Sequence, residues 1–112
     1  MKKKDVILKL QQKDFVENTL RQIEREFEKI GLVFNFEATI DFENLVGRLS
    51  EDLNLIFKEE PMLFKQLLYT IDLPEKEVDR ILTFADRPMV GLAELVVVRS
   101  AQKVYLRAHF SS

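Results

Sequence analysis

The chain has 112 residues, of which 46% are hydrophobic and 32% charged, with a formal net charge of −2. That length suits one core, at about 100–200 residues per domain, so residues 1–112 read as a single domain. There is no cysteine and there are only three glycines, which excludes thiolate chemistry, disulfides and a glycine-rich phosphate loop.

The chain opens on Lys2-Lys3-Lys4, but Val6-Ile7-Leu8 is interrupted at once by Lys9, so no signal-peptide core follows. No run approaches the roughly 20 apolar residues of a membrane span. The expectation is a cytoplasmic protein with no membrane partner.

Val16, Leu20, Ile23, Phe27 and Ile30 step by four and three, and Val6 and Leu10 extend the same stripe. This spacing predicts a helix over 3–30, with Gly31 placed for a left-handed C-cap. A continuous helix of that size would run about 42 Å, longer than a compact domain of this mass. Either it bends near Gln12–Asp14 or it projects to meet a second chain. Leu32, Phe34 and Phe36 then alternate with Val33, Asn35 and Glu37, which reads as an extended connector over 31–40 or a short strand.

Phe42, Leu45, Val46, Leu49, Leu53, Ile56 and Phe57 predict a helix over 41–58, with Asp41, or Thr39 ahead of it, as its cap. Gly47 inside it costs up to about 1 kcal/mol against alanine. A close helix crossing would explain that loss. Pro61 opens a short apolar helix running to about Thr70. Asp72 and Pro74 start another, with Val78, Ile81, Leu82 and Ala85 as its buried stripe, ended by Arg87-Pro88. Residues 89–110 fit a helix better than a hairpin, because Ser100-Ala101-Gln102 lacks turn residues although Val96-Val97-Val98 favours a strand.

The predicted fold is mostly all-α, a single domain of about five helices with the extended 31–40 connector. The alternative is α+β, with a small sheet made from 32–40 and a C-terminal hairpin over 95–110.

The chemistry is sparse. His109 is the lone histidine, three residues from the last position, so no Ser/His/acid set can be assembled around it. Neighbouring carboxylates such as Glu51-Asp52 and Glu59-Glu60 read as solvated helix faces, which leaves a carboxylate-dependent hydrolase as a distant third reading. No metal-ligand spacing is present. No catalytic residue, metal site or cofactor is assigned, and the expectation is a non-enzymatic protein.

Two groups of residues point to partners. Phe34, Phe36 and Phe42 fall within nine residues and mark a candidate protein-binding surface, since aromatic anchors concentrate at interfaces. A homodimer is the simplest cover for them and for a projecting first helix. Arg99, Lys103 and Arg107 stack at i, i+4 and i+8 and form a candidate anionic-partner stripe.

Charge is uneven. Residues 1–30 carry eight Lys/Arg and six Asp/Glu, residues 31–86 five and twelve, and residues 87–112 four and one. Both ends are basic and the middle is acidic. The expectation is a protein-interaction or assembly module that self-associates. A nucleic-acid-associated accessory role for the basic stripe is the alternative, and the weaker one at a pI near 5.5.

Overall fold

A computed structural model describes residues 1–35 and 41–110, apart from the side chain of Phe110. Among the described residues there are six helices and no strand: α1 (Lys3–Lys9), α2 (Lys13–Glu28), α3 (Phe42–Glu59), α4 (Pro61–Ile71), α5 (Glu75–Phe84) and α6 (Pro88–Phe110). The all-α expectation holds, with one helix more than the spacing predicts.

The extra helix comes from a break in the first segment. Gln11 and Gln12 donate to the carbonyls of Leu8 and Lys9, three residues back. The helix tightens and stops there, and Gln12 is extended before α2 begins. The apolar stripe skips from Leu10 to Val16, with Lys13 and Asp14 at the two positions that would continue it, so the break falls beside the bend expected near Gln12–Asp14. A continuous rod of about 42 Å does not fit extents of 37 × 29 × 26 Å. Folding α1 back instead buries Val6 and Leu10, each burial worth about 2 kcal/mol. No helix projects, and the stripe that would have called for a second chain is covered by this one.

Helix α2 buries Val16, Leu20, Ile23 and Phe27, the predicted face. It ends as predicted at Gly31, whose φ is +80°. Gly31 N–H donates to the Glu28 carbonyl and Leu32 N–H to the Phe27 carbonyl, both at 3.0 Å. This pair of bonds is a Schellman motif. The chain then leaves helical structure through residues 32–35, and Phe34 is buried in the core with its ring centroid 4.9 Å from that of Phe27. The strand alternative over 32–40 finds no support in residues 32–35. Its remainder, residues 36–40, lies outside the described residues.

Asp41 caps α3 by accepting from Asn44 N–H at 2.8 Å. Phe42, Leu45, Val46, Leu49 and Leu53 form the buried face. Pro61 sits in the first turn of α4, as expected. Phe57 and Phe64 meet edge to face across the α3–α4 corner, 5.1 Å between centroids.

A second Schellman motif ends α4. Asp72 N–H donates to Tyr69 and Leu73 N–H to Leu68, with Asp72 left-handed at φ 63°, ψ 51°. The expectation that Asp72 caps α5 is therefore corrected. Aspartate is one of the few side chains that tolerates the left-handed region, and here it closes the preceding helix. Helix α5 starts from Pro74 without a side-chain cap. Its predicted stripe is also narrower than expected: Val78 is buried and Ile81 half-buried, while Leu82 and Ala85 are exposed. Helix α5 packs chiefly on the start of α6. Gly91 lets it come close, since a Cβ there would lie 2.9 Å from Ile81 Cγ2.

Helix α6 is the axis of the fold and touches all five other helices. Leu92, Ala93, Val96, Val97, Ser100, Ala101 and Val104 are buried along it. An apolar helix surrounded on most sides overrides the strand propensity of Val96–Val98. The hairpin alternative over 95–110 is not what the chain adopts.

Gly31→Ala places a Cβ on a left-handed residue with no other change in contacts. It is expected to lower stability by about 1 kcal/mol in urea denaturation at unchanged m.

Candidate functional site

Two regions hold the chemistry of this chain: a buried ionic knot and an open groove.

The knot is where two of the three stripe cations go. Glu26 on α2 has a side chain only 2% exposed. Its Oε1 accepts from Lys103 Nζ at 2.8 Å and from Gln22 Nε2 at 2.7 Å, and its Oε2 from Lys29 Nζ at 3.4 Å. Lys103 also donates to the Ile71 carbonyl at 2.7 Å. One turn earlier, Arg99 donates to the Asp72 carbonyl at 3.3 Å and to the Asp72 carboxylate at 3.2 Å. Lysine and arginine thus meet the C-terminal end of α4, where unpaired carbonyls concentrate the negative end of the helix dipole. Arg107, the third stripe residue, is exposed in the last turn of α6. The stripe is read correctly as a helix face, but its first two members are engaged within the chain.

Burial pushes the Glu26 carboxyl up. The hydrogen bond and charge of Lys103, with Gln22 and Lys29, outweigh that and hold it below its ordinary value of 4.5. Beside this knot, Thr19 Oγ1, Gln22 Oε1 and Ser100 Oγ are buried with no hydrogen-bond partner among the described residues. The seam between α2 and α6 is therefore polar along much of its length.

The aromatic triad divides differently. Phe34 and Phe42 are core residues, 3% and 8% exposed, so their rings face this chain and not solvent. Phe36 lies outside the described residues.

The groove runs along α3. Its larger part, about 720 Å³, lies between α1, the first half of α3 and the start of α6. Ile7, Leu10, Phe42, Val46 and Val90 make it apolar, and Arg87 and the Lys3–Glu94 ion pair stand at its rim. A second part of about 400 Å³ continues toward Phe57 and Met89. The two share Ser50, Arg87 and Val90, so they adjoin along α3 and are together termed the trough.

Along the trough, α3 presents Glu43, Gly47, Ser50, Asn54 and Phe57, spaced by four and three residues on one helix face. Among the described residues, none outside its own helix backbone lies within 4 Å of where a Gly47 Cβ would stand. The close helix crossing expected at Gly47 is absent. Gly47 was the sequence signal at this groove, visible as a helix-propensity cost that a close crossing was expected to explain. The trough itself depends on α1 folding back, which no local pattern encodes.

Among the described residues, no three His, Cys, Asp or Glu side chains gather in a metal-holding group, and no helix is long and apolar enough to cross a membrane. Compared with known proteins, the chain matches no family model, no curated protein and no solved structure.

Removing one partner of a buried ion pair costs far more than removing both. Lys103→Met leaves Glu26 buried and is expected to destabilise by about 3 kcal/mol. Glu26→Gln leaves Lys103 bonded to Ile71 and should cost about 1–2 kcal/mol, and Glu26→Leu/Lys103→Met less than Lys103→Met alone. Because the folded-state pKa of Glu26 is lowered, its contribution is fully present above pH 4.5 and is lost as pH falls through the lower folded value. Urea midpoints measured from neutral to acid pH should fall less steeply for Glu26→Gln than for the parent chain.

Proposed function

We propose that this chain is a protein–protein interaction or assembly module that self-associates, with the α3 trough as its docking site. Gly47 is the observation that carries this reading. A glycine at an exposed position inside a helix costs about 1 kcal/mol against alanine, and none of the described residues packed around α3 approaches closely enough to require it. A partner backbone lying in the trough supplies the missing reason.

The dimensions suit such a partner. From Glu43 to Phe57 the floor of the trough spans about 21 Å, or some four turns of a helix. Its ends carry apolar side chains that remain wet in the isolated chain: Ile7 is 38% and Phe57 46% exposed. Exposed apolar groups at the ends of an open groove act as anchors for a helix laid into it. A second copy is the partner to test first, because two-fold homodimers are the commonest assemblies. The work of the module is recognition, not bond making. The nucleic-acid reading of Arg99, Lys103 and Arg107 gains less support, since Arg99 and Lys103 already pair with Asp72 and Glu26.

Two substitutions separate docking from folding. Gly47→Ala is expected to raise stability by roughly 0.5–1 kcal/mol, through helix propensity alone. Gly47→Leu also keeps the fold, since its side chain enters open space, but it fills the trough. Sedimentation equilibrium into the high micromolar range should show concentration-dependent association for the parent chain and a monomer for Gly47→Leu. A parent chain that stays monomeric throughout removes self-association, and unchanged association in Gly47→Leu removes the trough as its site.

A further inference from the structure

We infer that the end of the molecule built by both terminal segments docks on an anionic membrane surface. This is independent of the trough, which lies on the other flank of α1.

The first argument is charge brought together by folding. Residues 1–13 carry five lysines and one aspartate, and residues 99–112 carry Arg99, Lys103 and Arg107 with no acid. The intervening residues 14–98 carry nine Lys/Arg against eighteen Asp/Glu. Sequence alone leaves the two basic segments at opposite ends of the chain. The structure joins them. Gln102 donates to the Met1 carbonyl at 2.8 Å, and the Lys9 ammonium lies 5.3 Å from the centre of the Tyr105 ring.

Some of these cations are engaged: Lys3 with Glu94, Arg99 with Asp72, Lys103 with Glu26. Lys2, Lys4, Lys13 and Arg107 are exposed, and no ion pair engages them among the described residues. The remaining acidic bulk is repelled by an anionic surface, so the same field that attracts this end also orients the molecule.

The second argument selects the partner. Leu8 is 63% and Leu106 46% exposed, both within the two basic segments. A strand of phosphates would satisfy the cations but leave these leucines in water. The headgroup–acyl boundary of a bilayer accommodates both, with cations at the phosphates and leucines just below. Within the two basic segments, Tyr105 is already occupied as a stacking ring: it lies on His109, 3.9 Å between centroids, and carries Lys9 over its face. The contact is peripheral, because no described helix is long and apolar enough to span.

Co-sedimentation with vesicles tests this directly. Phosphatidylcholine vesicles are compared with vesicles of phosphatidylcholine and phosphatidylglycerol in about equal parts. Binding to the anionic vesicles should exceed binding to the neutral ones by about tenfold or more, and weaken between about 0.1 and 0.5 M salt. Lys4→Glu/Lys13→Glu/Arg107→Glu should lose about tenfold or more, and Leu8→Ser/Leu106→Ser a few-fold. The neutralising set Lys4→Gln/Lys13→Gln/Arg107→Gln gives the same direction should charge reversal disturb the fold, which circular dichroism reports. Equal binding to both vesicle types, or binding untouched by either charge set, overturns the proposal. So does capture of a single-stranded oligodeoxythymidylate by a chain that leaves the anionic vesicles unbound.

Discussion

The Lys103 ammonium joins three helices at one point. It rises from α6, meets the buried Glu26 carboxylate of α2 and takes the Ile71 carbonyl at the end of α4. Apolar stripes tolerate sliding, because one leucine replaces another at small cost. An ionic contact at this depth does not. A slip of one helical turn between α2 and α6 would leave a carboxylate only 2% exposed without its counter-ion, which costs several kcal/mol. Arg99 repeats the constraint one turn away by holding both the carbonyl and the carboxylate of left-handed Asp72. The register of α6 against α2 and α4 is therefore set by polar groups, within a core whose bulk stability comes from its aliphatic and phenylalanine side chains.

That register decides the rest of the architecture, because α6 contacts every other helix. With α6 in place, its first turns receive α5 through the gap at Gly91, and its C-terminal half receives α1. The short α1, with seven residues, is below the length at which an isolated helix persists in water. It is helical because Val6 and Leu10 are buried, Lys3 pairs with Glu94, and Lys9 sits over the rings of Phe15 and Tyr105.

What could be read in advance follows from the range of the forces involved. Helices α3 and α4, and the long α6, were legible because their signals are local: apolar spacing, Asp41 as cap, Pro61 in a first turn, no turn chemistry at residues 100–102. Gly31 was legible for the same reason. Three features were legible only in part. The break after Leu10 was visible as a gap in the stripe at Lys13 and Asp14, but whether the chain bends there or runs on as one projecting rod is decided by the size of the whole domain. The left-handed position is held by Asp72, a residue suited equally to starting α5 or ending α4; it ends α4 through its own backbone bonds, and Arg99, 27 residues further on, meets it there. The basic stripe was visible as a pattern, but whether its charges face water or a buried acid depends on which helix lies beside them. Phe34 and Phe42 pose the same question for aromatic side chains, and the core takes both.

Both proposed surfaces share α1. One flank of it, with Lys3, Ile7 and Leu10, walls the trough. Lys9 faces the Tyr105 end of α6, and Lys4 and Leu8 face solvent. The element with the least helical stability of its own is thus the one that completes both proposed surfaces. Local opening begins in such elements, where few buried side chains resist it. Were α1 to lift from α6, the trough would lose a wall and the two basic segments would separate in the same event. A partner that binds only the docked form at either surface shifts the population toward it, and so favours binding at the other. The link between the two surfaces needs no path through the core, because a single short helix belongs to both.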